Sequence, residues 1–88
     1  MAYVVKEYDY RYGGVVEETY FHQPRNVFNK VKEIMKKAFE RYEDDFDEYL
    51  EEYNGNVEEF ISDVYDQGEF EGLLYWEEIE FEDEEKKL

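Results

Sequence analysis

The sequence predicts an α+β fold, in which a small antiparallel sheet packs against helices. Two stretches near the N-terminus are rich in β-branched and aromatic residues, as strands are. The central stretch repeats apolar residues every three or four positions, which is the period of an amphipathic helix. A third strand-like stretch near the C-terminus completes the expected sheet.

The N-terminal part of the chain predicts a β-hairpin. Residues 3–10 and 15–22 form the two expected strands, and Gly13 and Gly14 supply the glycines that a tight reversal needs. Pro24 then suits the first turn of a helix, where no amide donor is required.

The central helix is expected to be long. Apolar residues from Val27 to Tyr53 are spaced by threes and fours and fit one helical stripe, so the periodicity demands no break. A continuous helix over residues 27–53 would nevertheless be long for so small a domain. A break near residues 43–45 therefore stays open as an alternative.

A shorter helix and a strand are expected to follow. Asn54 and Gly55 predict the end of the long helix, and residues 56–59 resemble a capping box that opens the next one. Gly68 is expected to end this second helix, whose core-facing residues are Val57, Phe60, Ile61 and Val64. Residues 73–81 then read as a strand with one side formed by Tyr75, Ile79 and Phe81.

The composition predicts a single domain over residues 1–88, with residues 82–88 as a frayed tail. Seven Phe, ten Tyr and one Trp suffice for a compact core without disulfides or metals, and the chain has no cysteine. The aromatic residues expected in that core are Phe28, Phe39, Phe46, Phe60 and Trp76.

The negative charge is concentrated in the second half of the chain. The formal net charge is −16, whereas residues 1–39 carry a slight excess of bases. Among residues 40–85 the only base is Arg41. Because a much smaller net charge already keeps a domain soluble, this asymmetry favours a positively charged partner.

Residues 40–52 hold eight acids and one base. On a helix about 20 Å long they would carry one net charge per roughly 2.8 Å of helix axis. This distance lies between the axial distance per phosphate charge in duplex DNA and that in a single DNA strand. Five like-charged i, i+4 pairs would destabilise this helix by about 1 to 2.5 kcal/mol. Such a cost suggests that the negative electrostatic field of the helix has a function. The alternative is a solvated helix face that serves only solubility. The expected outward stripe comprises Glu40, Asp44, Asp47, Glu48 and Glu51.

The chain resembles the small DNA-mimic inhibitors of phages and mobile elements, the anti-CRISPR and anti-restriction proteins. The resemblance lies in the short length, the absent cysteine, the abundant Tyr and Phe, and acid-aromatic runs such as residues 42–49. It is compositional, rests on no diagnostic motif and transfers no functional residue. It implies an effector nuclease or its guide complex as the target.

Residues suited to catalysis are scarce. Ser62, Thr19 and His22 are the only serine, threonine and histidine, and Thr19 and His22 fall on opposite faces of the expected strand. An EF-hand beginning at Asp45 would need glycine where Leu50 stands. We therefore expect no enzyme activity, no cofactor and no specific metal site.

The sequence thus predicts an inhibitor that occupies the basic nucleic-acid-binding surface of a nuclease or DNA-binding protein and binds no nucleic acid itself. Besides the outward stripe, a second acidic contact group is expected at Glu77, Glu78 and Glu80. The alternative is an interaction or regulatory module that binds through a Tyr-rich hairpin, with Tyr8, Tyr10 and Tyr12 as possible contacts. No segment has the length of a membrane span, so a cytoplasmic monomer or dimer is expected, in a bacterial host cell if the chain is phage-encoded.

Overall fold

A computed structural model describes residues 2–79 and has the predicted α+β architecture. The elements in chain order are β1 (Ala2–Tyr8), β2 (Val15–Phe21), α1 (Pro24–Arg41), α2 (Glu43–Glu51), α3 (Val57–Gln67), β3 (Glu69–Phe70) and β4 (Leu74–Ile79).

The four strands form one antiparallel sheet in the order β2-β1-β4-β3. β1 pairs with β2 from Tyr3 opposite Phe21 to Tyr8 opposite Val15, with a bulge between Glu7 and Tyr8. On its other side β1 pairs with β4, which brings the C-terminal strand into the centre of the sheet. The helices cover one face of this sheet.

The predicted hairpin is present, and residues 9–14 connect its strands. The Asp9 side chain holds this loop, because its Oδ1 accepts hydrogen bonds from the backbone N–H groups of Arg11 and Tyr12 at 2.9 and 3.1 Å. The N–H of Gly13 donates to the Asp9 carbonyl at 2.7 Å, and Gly13 has φ +89°, a conformation that favours glycine. The reversal is therefore held by a carboxylate as well as by glycine.

The long helix is broken, so of the two alternatives that the sequence left open the structure has the break. Tyr42, one residue before the region 43–45 where a break stayed open, has φ −123° and ψ 48°, and it separates α1 from α2. Its N–H still donates to the Ala38 carbonyl at 2.8 Å. The apolar period continues across the break because both helices bury side chains in the same core.

The expected caps delimit α3. The Asn56 side chain accepts a hydrogen bond from the Glu59 N–H at 3.1 Å, and this bond satisfies one of the orphan donors at a helix start. Gly68 ends the helix with φ 84°, and its N–H bonds to the Val64 carbonyl at 3.0 Å. Gly55 closes α2 in a similar way, with its N–H on the Leu50 carbonyl at 2.9 Å.

Within the described residues the C-terminal strand begins at Leu74, one residue later than predicted, and a two-residue strand that the sequence did not indicate lies beside it. The described strand is β4, and its outer neighbour is β3. Tyr75 and Ile79 share a face, but it is the face opposite the helices, because Trp76 Nε1 donates to the Tyr65 carbonyl of α3 at 2.9 Å. Phe81 and residues 82–88 lie outside the described residues.

The core lies between the sheet and the helices. Phe46 and Phe60 are buried in it, and Phe28, Phe39 and Trp76 pack against it while partly exposed. The other buried members of this cluster are Val5, Val27, Val31, Ile34, Met35, Ala38, Ile61, Val64, Leu73 and Leu74.

Candidate acidic interface

The most highly charged part of the described chain is an acidic surface formed by the end of α1, α2 and the residue after it. We define this acidic surface by eight exposed carboxylates: Glu40, Glu43, Asp44, Asp45, Asp47, Glu48, Glu51 and Glu52. Six of them belong to the nine residues of α2. The acidic surface is therefore mainly one short helix.

The apolar side of α2 explains why its carboxylates face outward. Phe46 is 1% exposed, and its ring centroid lies 5.3 Å from that of Phe39 and 5.4 Å from that of Phe70. The ring of Tyr49 packs edge-on against Phe70 at 5.2 Å. These contacts fix the rotation of α2 about its axis, so the remaining positions point to solvent.

A second anchor follows α2. The Tyr53 ring stacks on Phe60 of α3 at 5.1 Å, and its hydroxyl donates to Asp63 Oδ2 at 2.7 Å. This hydrogen bond raises the pKa of Tyr53 above its usual range, with burial adding to the effect. The acidic helix is thus held at both ends by aromatic contacts.

The acidic surface is not neutralised by the protein's own lysines within residues 2–79. The five salt bridges of this part of the chain join Lys6, Lys30, Lys32 and Lys37 to carboxylates outside the acidic surface. The closest joins Lys30 Nζ to Glu17 Oε1 at 3.1 Å, between α1 and β2. The bases of α1 therefore compensate charge on the sheet and on α3.

The break at Tyr42 lowers the cost of concentrating this charge. It places Glu43, Asp44 and Asp45 in the first turn of a new helix, where carboxylates interact favourably with the helix dipole. The break interrupts the helical pair Glu40/Asp44, and the three like-charged i, i+4 pairs inside α2 cost about 0.6 to 1.5 kcal/mol of helix stability. This correction follows from the tertiary structure alone.

The five residues of the predicted stripe belong to two helices. Asp44, Asp47, Glu48 and Glu51 are spaced by threes and fours on α2 and share one face. Glu40 lies in the last turn of α1, and an open cleft that it lines together with Asp44 brings it next to them. The structure thus brings all five residues to one region.

The second predicted acidic group is not part of this region. Glu77 pairs with Val4 and Glu78 with Tyr3, at the end of β1 remote from Tyr8 and the hairpin loop. Glu77 accepts a hydrogen bond from the Tyr75 hydroxyl at 3.0 Å on the face away from the helices. Successive strand residues face opposite sides, so Glu77 and Glu78 point apart. Glu80 lies outside the described residues.

The three hairpin tyrosines have different environments. Tyr10 packs on Tyr42 and Phe46, with ring centroids 4.7 and 5.8 Å apart. Burial raises the pKa of Tyr10, and the nearby Tyr49 and Asp45 add to this shift. Tyr8 is partly buried at the end of β1, whereas Tyr12 is 83% exposed at the loop.

Two arginines that the sequence did not point to lie beside the acidic surface. Arg11 of the hairpin loop sits over the Tyr42 ring, with its Cζ 5.6 Å from the ring centroid. Arg11 and Arg41 line the same open cleft as Glu40 and Asp44. Neither forms a salt bridge with the acidic surface within the described residues. Because residues 11 and 42 are far apart in the chain, the local spacing of apolar and polar residues could not predict this contact.

Other kinds of site find little support in residues 2–79. This part of the chain has no group of three or more His, Asp or Glu side chains arranged to hold a metal ion. None of its helices is long and apolar enough to cross a membrane.

Comparison with known protein families, with curated proteins and with solved structures gives no match.

Proposed function

We propose that this protein is a non-enzymatic inhibitor that binds the basic nucleic-acid-binding surface of a nuclease or DNA-binding protein by nucleic-acid mimicry. The observation that carries the proposal is the acidic surface, whose eight exposed carboxylates form no salt bridge within the described residues. A protein that needed charge only for solubility gains nothing from concentrating it on one helix.

The charge density of α2 supports this proposal. Six carboxylates on a nine-residue helix about 13.5 Å long give one charge per roughly 2.2 Å. Duplex DNA carries one charge per roughly 1.7 Å and a single strand one per roughly 3.4 Å. Lys and Arg side chains spaced for phosphates can therefore meet the carboxylates of α2 at comparable intervals.

The inhibitory mechanism is electrostatic occupation. The carboxylates form ion pairs with basic side chains that otherwise contact the phosphate backbone, and they accept hydrogen bonds from them. These carboxylates belong to Glu40, Asp44, Asp47, Glu48 and Glu51. The aromatic contacts of Phe46 and Tyr49 hold the backbone of α2 in place before binding, so the helix itself need not be ordered on association. The partner class is a CRISPR effector or restriction enzyme, encountered in the cytoplasm of a bacterial host.

A competition experiment tests the proposal. Purified CRISPR effector nucleases and restriction enzymes are incubated with labelled DNA and increasing amounts of this protein, and DNA binding is followed by fluorescence anisotropy. We expect displacement of DNA from at least one enzyme, and steep weakening of the protein–enzyme complex as salt rises. Failure to displace DNA from any of them at low salt would contradict mimicry.

Charge-reversal variants make the test specific to the acidic surface. The variant Asp44→Lys/Asp47→Lys/Glu48→Lys should lose displacement by about a hundredfold or more, because attraction becomes repulsion. A matched control, Asp66→Lys/Glu69→Lys/Glu71→Lys, changes the net charge equally at exposed positions outside the acidic surface. Equal loss in both variants would mean that only net charge matters and would contradict a defined contact surface.

The alternative function is an interaction module that binds through the hairpin. It is favoured by the exposure of Tyr12, Val15 and Val16, which are 83, 55 and 60% exposed. Binding through these side chains should depend weakly on salt and survive the α2 triple variant. The substitution Tyr12→Ala should then abolish binding, whereas it should spare electrostatic mimicry.

A further inference from the structure

Two arginines lie in the cleft beside the acidic surface. Arg41 belongs to the last turn of α1 and Arg11 to the hairpin loop, and both line this open cleft together with Tyr42. The other residues that line the cleft are four carboxylates of the acidic surface: Glu40, Glu43, Asp44 and Asp45. The cleft is therefore the place where positive charge meets the acidic surface.

The side chains of both arginines are available to a partner. Arg11 and Arg41 are exposed, and within residues 2–79 neither guanidinium group forms an ion pair or a hydrogen bond. A guanidinium group carries five N–H donors in a planar fork, and this geometry matches a carboxylate. The two arginines therefore offer unused hydrogen-bond donors to an anionic group.

The hairpin loop and the helix break position Arg11 at the cleft. The Arg11 N–H donates to Asp9 Oδ1 at 2.9 Å, and the Arg11 Cζ lies 5.6 Å from the centroid of the Tyr42 ring. That ring packs in turn on Tyr10, with the two ring centroids 4.7 Å apart. The backbone and the charged end of Arg11 are thus each held by one contact, which reduces the ordering that binding requires.

Positive charge at this place is unfavourable for a partner surface that is uniformly basic. Arg11 and Arg41 repel the Lys and Arg side chains that the neighbouring carboxylates attract, and juxtaposed like charges weaken an interface. The repulsion becomes attraction where the partner carries a carboxylate, because arginine and carboxylate form charge-assisted hydrogen bonds. The two arginines can therefore discriminate between basic surfaces with and without such a carboxylate.

A free anion or a nucleic acid fits the cleft poorly. Four carboxylates and two arginines line it, and the net charge of the chain is −16, so an anion that arrives alone is repelled. A carboxylate on a basic protein surface arrives with Lys and Arg neighbours, which pair with the carboxylates around the cleft. The charge pattern of the cleft thus fits an acidic side chain surrounded by basic ones.

We propose that this cleft binds an acidic side chain that lies among the basic residues of the partner's surface, through the guanidinium groups of Arg11 and Arg41. The inference rests on the proposed function and adds to it one carboxylate at a defined place on the partner. A partner with that carboxylate binds more tightly than a surface that is only basic.

Two peptides test the sign of this preference with the full-length, isotope-labelled protein. Each has two lysines on either side of a central residue, which is aspartate in one and asparagine in the other, and both are acetylated and amidated to remove the terminal charges. Attraction by the acidic surface alone favours the asparagine peptide, which has one more net positive charge. We expect the opposite order, with the aspartate peptide bound about threefold or more tightly in an NMR titration that shifts the Arg11 and Arg41 Nε–H resonances.

Two variants with equal charge change locate the preference. Arg11→Gln/Arg41→Gln removes both guanidinium groups of the cleft, so it should bind the asparagine peptide more tightly than the aspartate peptide. Arg25→Gln/Lys36→Gln removes two exposed bases that do not line the cleft and form no salt bridge within the described residues. This control should keep the preference for aspartate.

The cleft variant also gives a readout on the enzyme that the unaltered protein displaces from DNA. Arg11→Gln/Arg41→Gln makes the chain more negative, so mimicry without a carboxylate contact predicts stronger displacement of DNA. The proposal predicts displacement weaker by about tenfold, because hydrogen bonds between charged groups are lost. The two expectations differ in sign.

Three outcomes would overturn the proposal. The first is an aspartate peptide that binds no more tightly than the asparagine peptide, or binding of neither peptide. The second is a preference for aspartate that persists in Arg11→Gln/Arg41→Gln, which would place the carboxylate elsewhere. The third is stronger displacement of DNA by that variant, which would mean that the arginines only repel the partner. Mimicry is judged separately, by whether the unaltered protein displaces DNA.

Discussion

The Phe46 side chain is 1% exposed, and its ring packs against those of Phe39, Tyr10, Tyr49 and Phe70. It is the buried residue of α2, so it joins the acidic helix to the rest of the core. Its contacts come from α1, the hairpin loop and β3. A single ring therefore couples the position of the acidic surface to three other parts of the chain.

Substitution Phe46→Ala should cost about 3 to 5 kcal/mol of unfolding free energy, because it removes a fully buried ring and leaves a cavity. Urea unfolding followed by circular dichroism measures this loss. The exposed Tyr12→Ala variant should change stability by less than about 0.5 kcal/mol and serves as the control. A small effect of Phe46→Ala would mean that α2 is not anchored as described.

The ionisation of Tyr10 predicts how the unfolding free energy depends on pH. Burial, with help from Tyr49 and Asp45, raises its pKa in the folded protein above the unfolded value of about 10. The resulting stabilisation is present below the unfolded pKa and is lost as pH rises through the folded pKa. Unfolding free energies measured by urea between about pH 9 and 12 should therefore fall less steeply in Tyr10→Phe. An unchanged slope would contradict this environment.

At the level of elements, the separation of α1 from α2 at Tyr42 determines how the acidic charge is tolerated. The break gives α2 its own N-terminus, with three carboxylates in the first turn, and its own C-terminus at Glu51. Carboxylates stabilise the first of these ends and destabilise the second. The same charge thus has opposite effects at the two ends of one short helix.

This arrangement predicts a ranking of two variants with equal charge change. Asp45→Lys, in the first turn of α2, should be less stable than Glu51→Lys, in the last turn, by about 1 kcal/mol or more, because the two dipole effects add. Thermal or urea unfolding at low ionic strength measures the difference. In an unbroken helix over residues 27–53 Glu51 would still lie in the last turn but Asp45 would be internal. An Asp45→Lys variant as stable as the unaltered protein would therefore contradict the break at Tyr42.

For the whole molecule, a net charge of −16 opposes folding through self-repulsion while it favours association with a basic surface. Salt screens both effects, since the Debye length is about 10 Å at 0.1 M. Folding and binding are therefore expected to respond to ionic strength in opposite directions. In a protein whose charges formed balanced ion-pair networks, folding stability and binding affinity would not respond to salt in opposite directions.

Stability should rise by about 1 kcal/mol between low salt and physiological salt, the size of the like-charge repulsion within α2. The variant Asp44→Lys/Asp47→Lys/Glu48→Lys should show a flatter salt dependence, because two of the three repulsive i, i+4 pairs within α2, at positions 43/47 and 47/51, become attractive while the pair at 44/48 stays like-charged. Denaturant unfolding at several sodium chloride concentrations measures both. A stability that falls with salt in the unaltered protein would show that attractive ion pairs dominate.

Local patterns were sufficient to predict most of the fold. The hairpin, the N-terminus of α1 at Pro24, the Asn56 cap and the Gly68 terminus each depend on residues within a few positions of one another. The outward spacing of Asp44, Asp47, Glu48 and Glu51 likewise follows from helical periodicity within a single segment. Short-range backbone and capping preferences determine these features, so they can be read from the sequence.

The sequence by itself determined the element types, the apolar faces and the concentration of charge in residues 40–52. Only the tertiary structure decided the break at Tyr42, the pairing of β4 with β1 and the position of Arg11 over Tyr42. It also separated Glu77 and Glu78 from the acidic surface and set the order of the four described strands. These features depend on contacts between residues far apart in the chain, whose energies no local pattern contains.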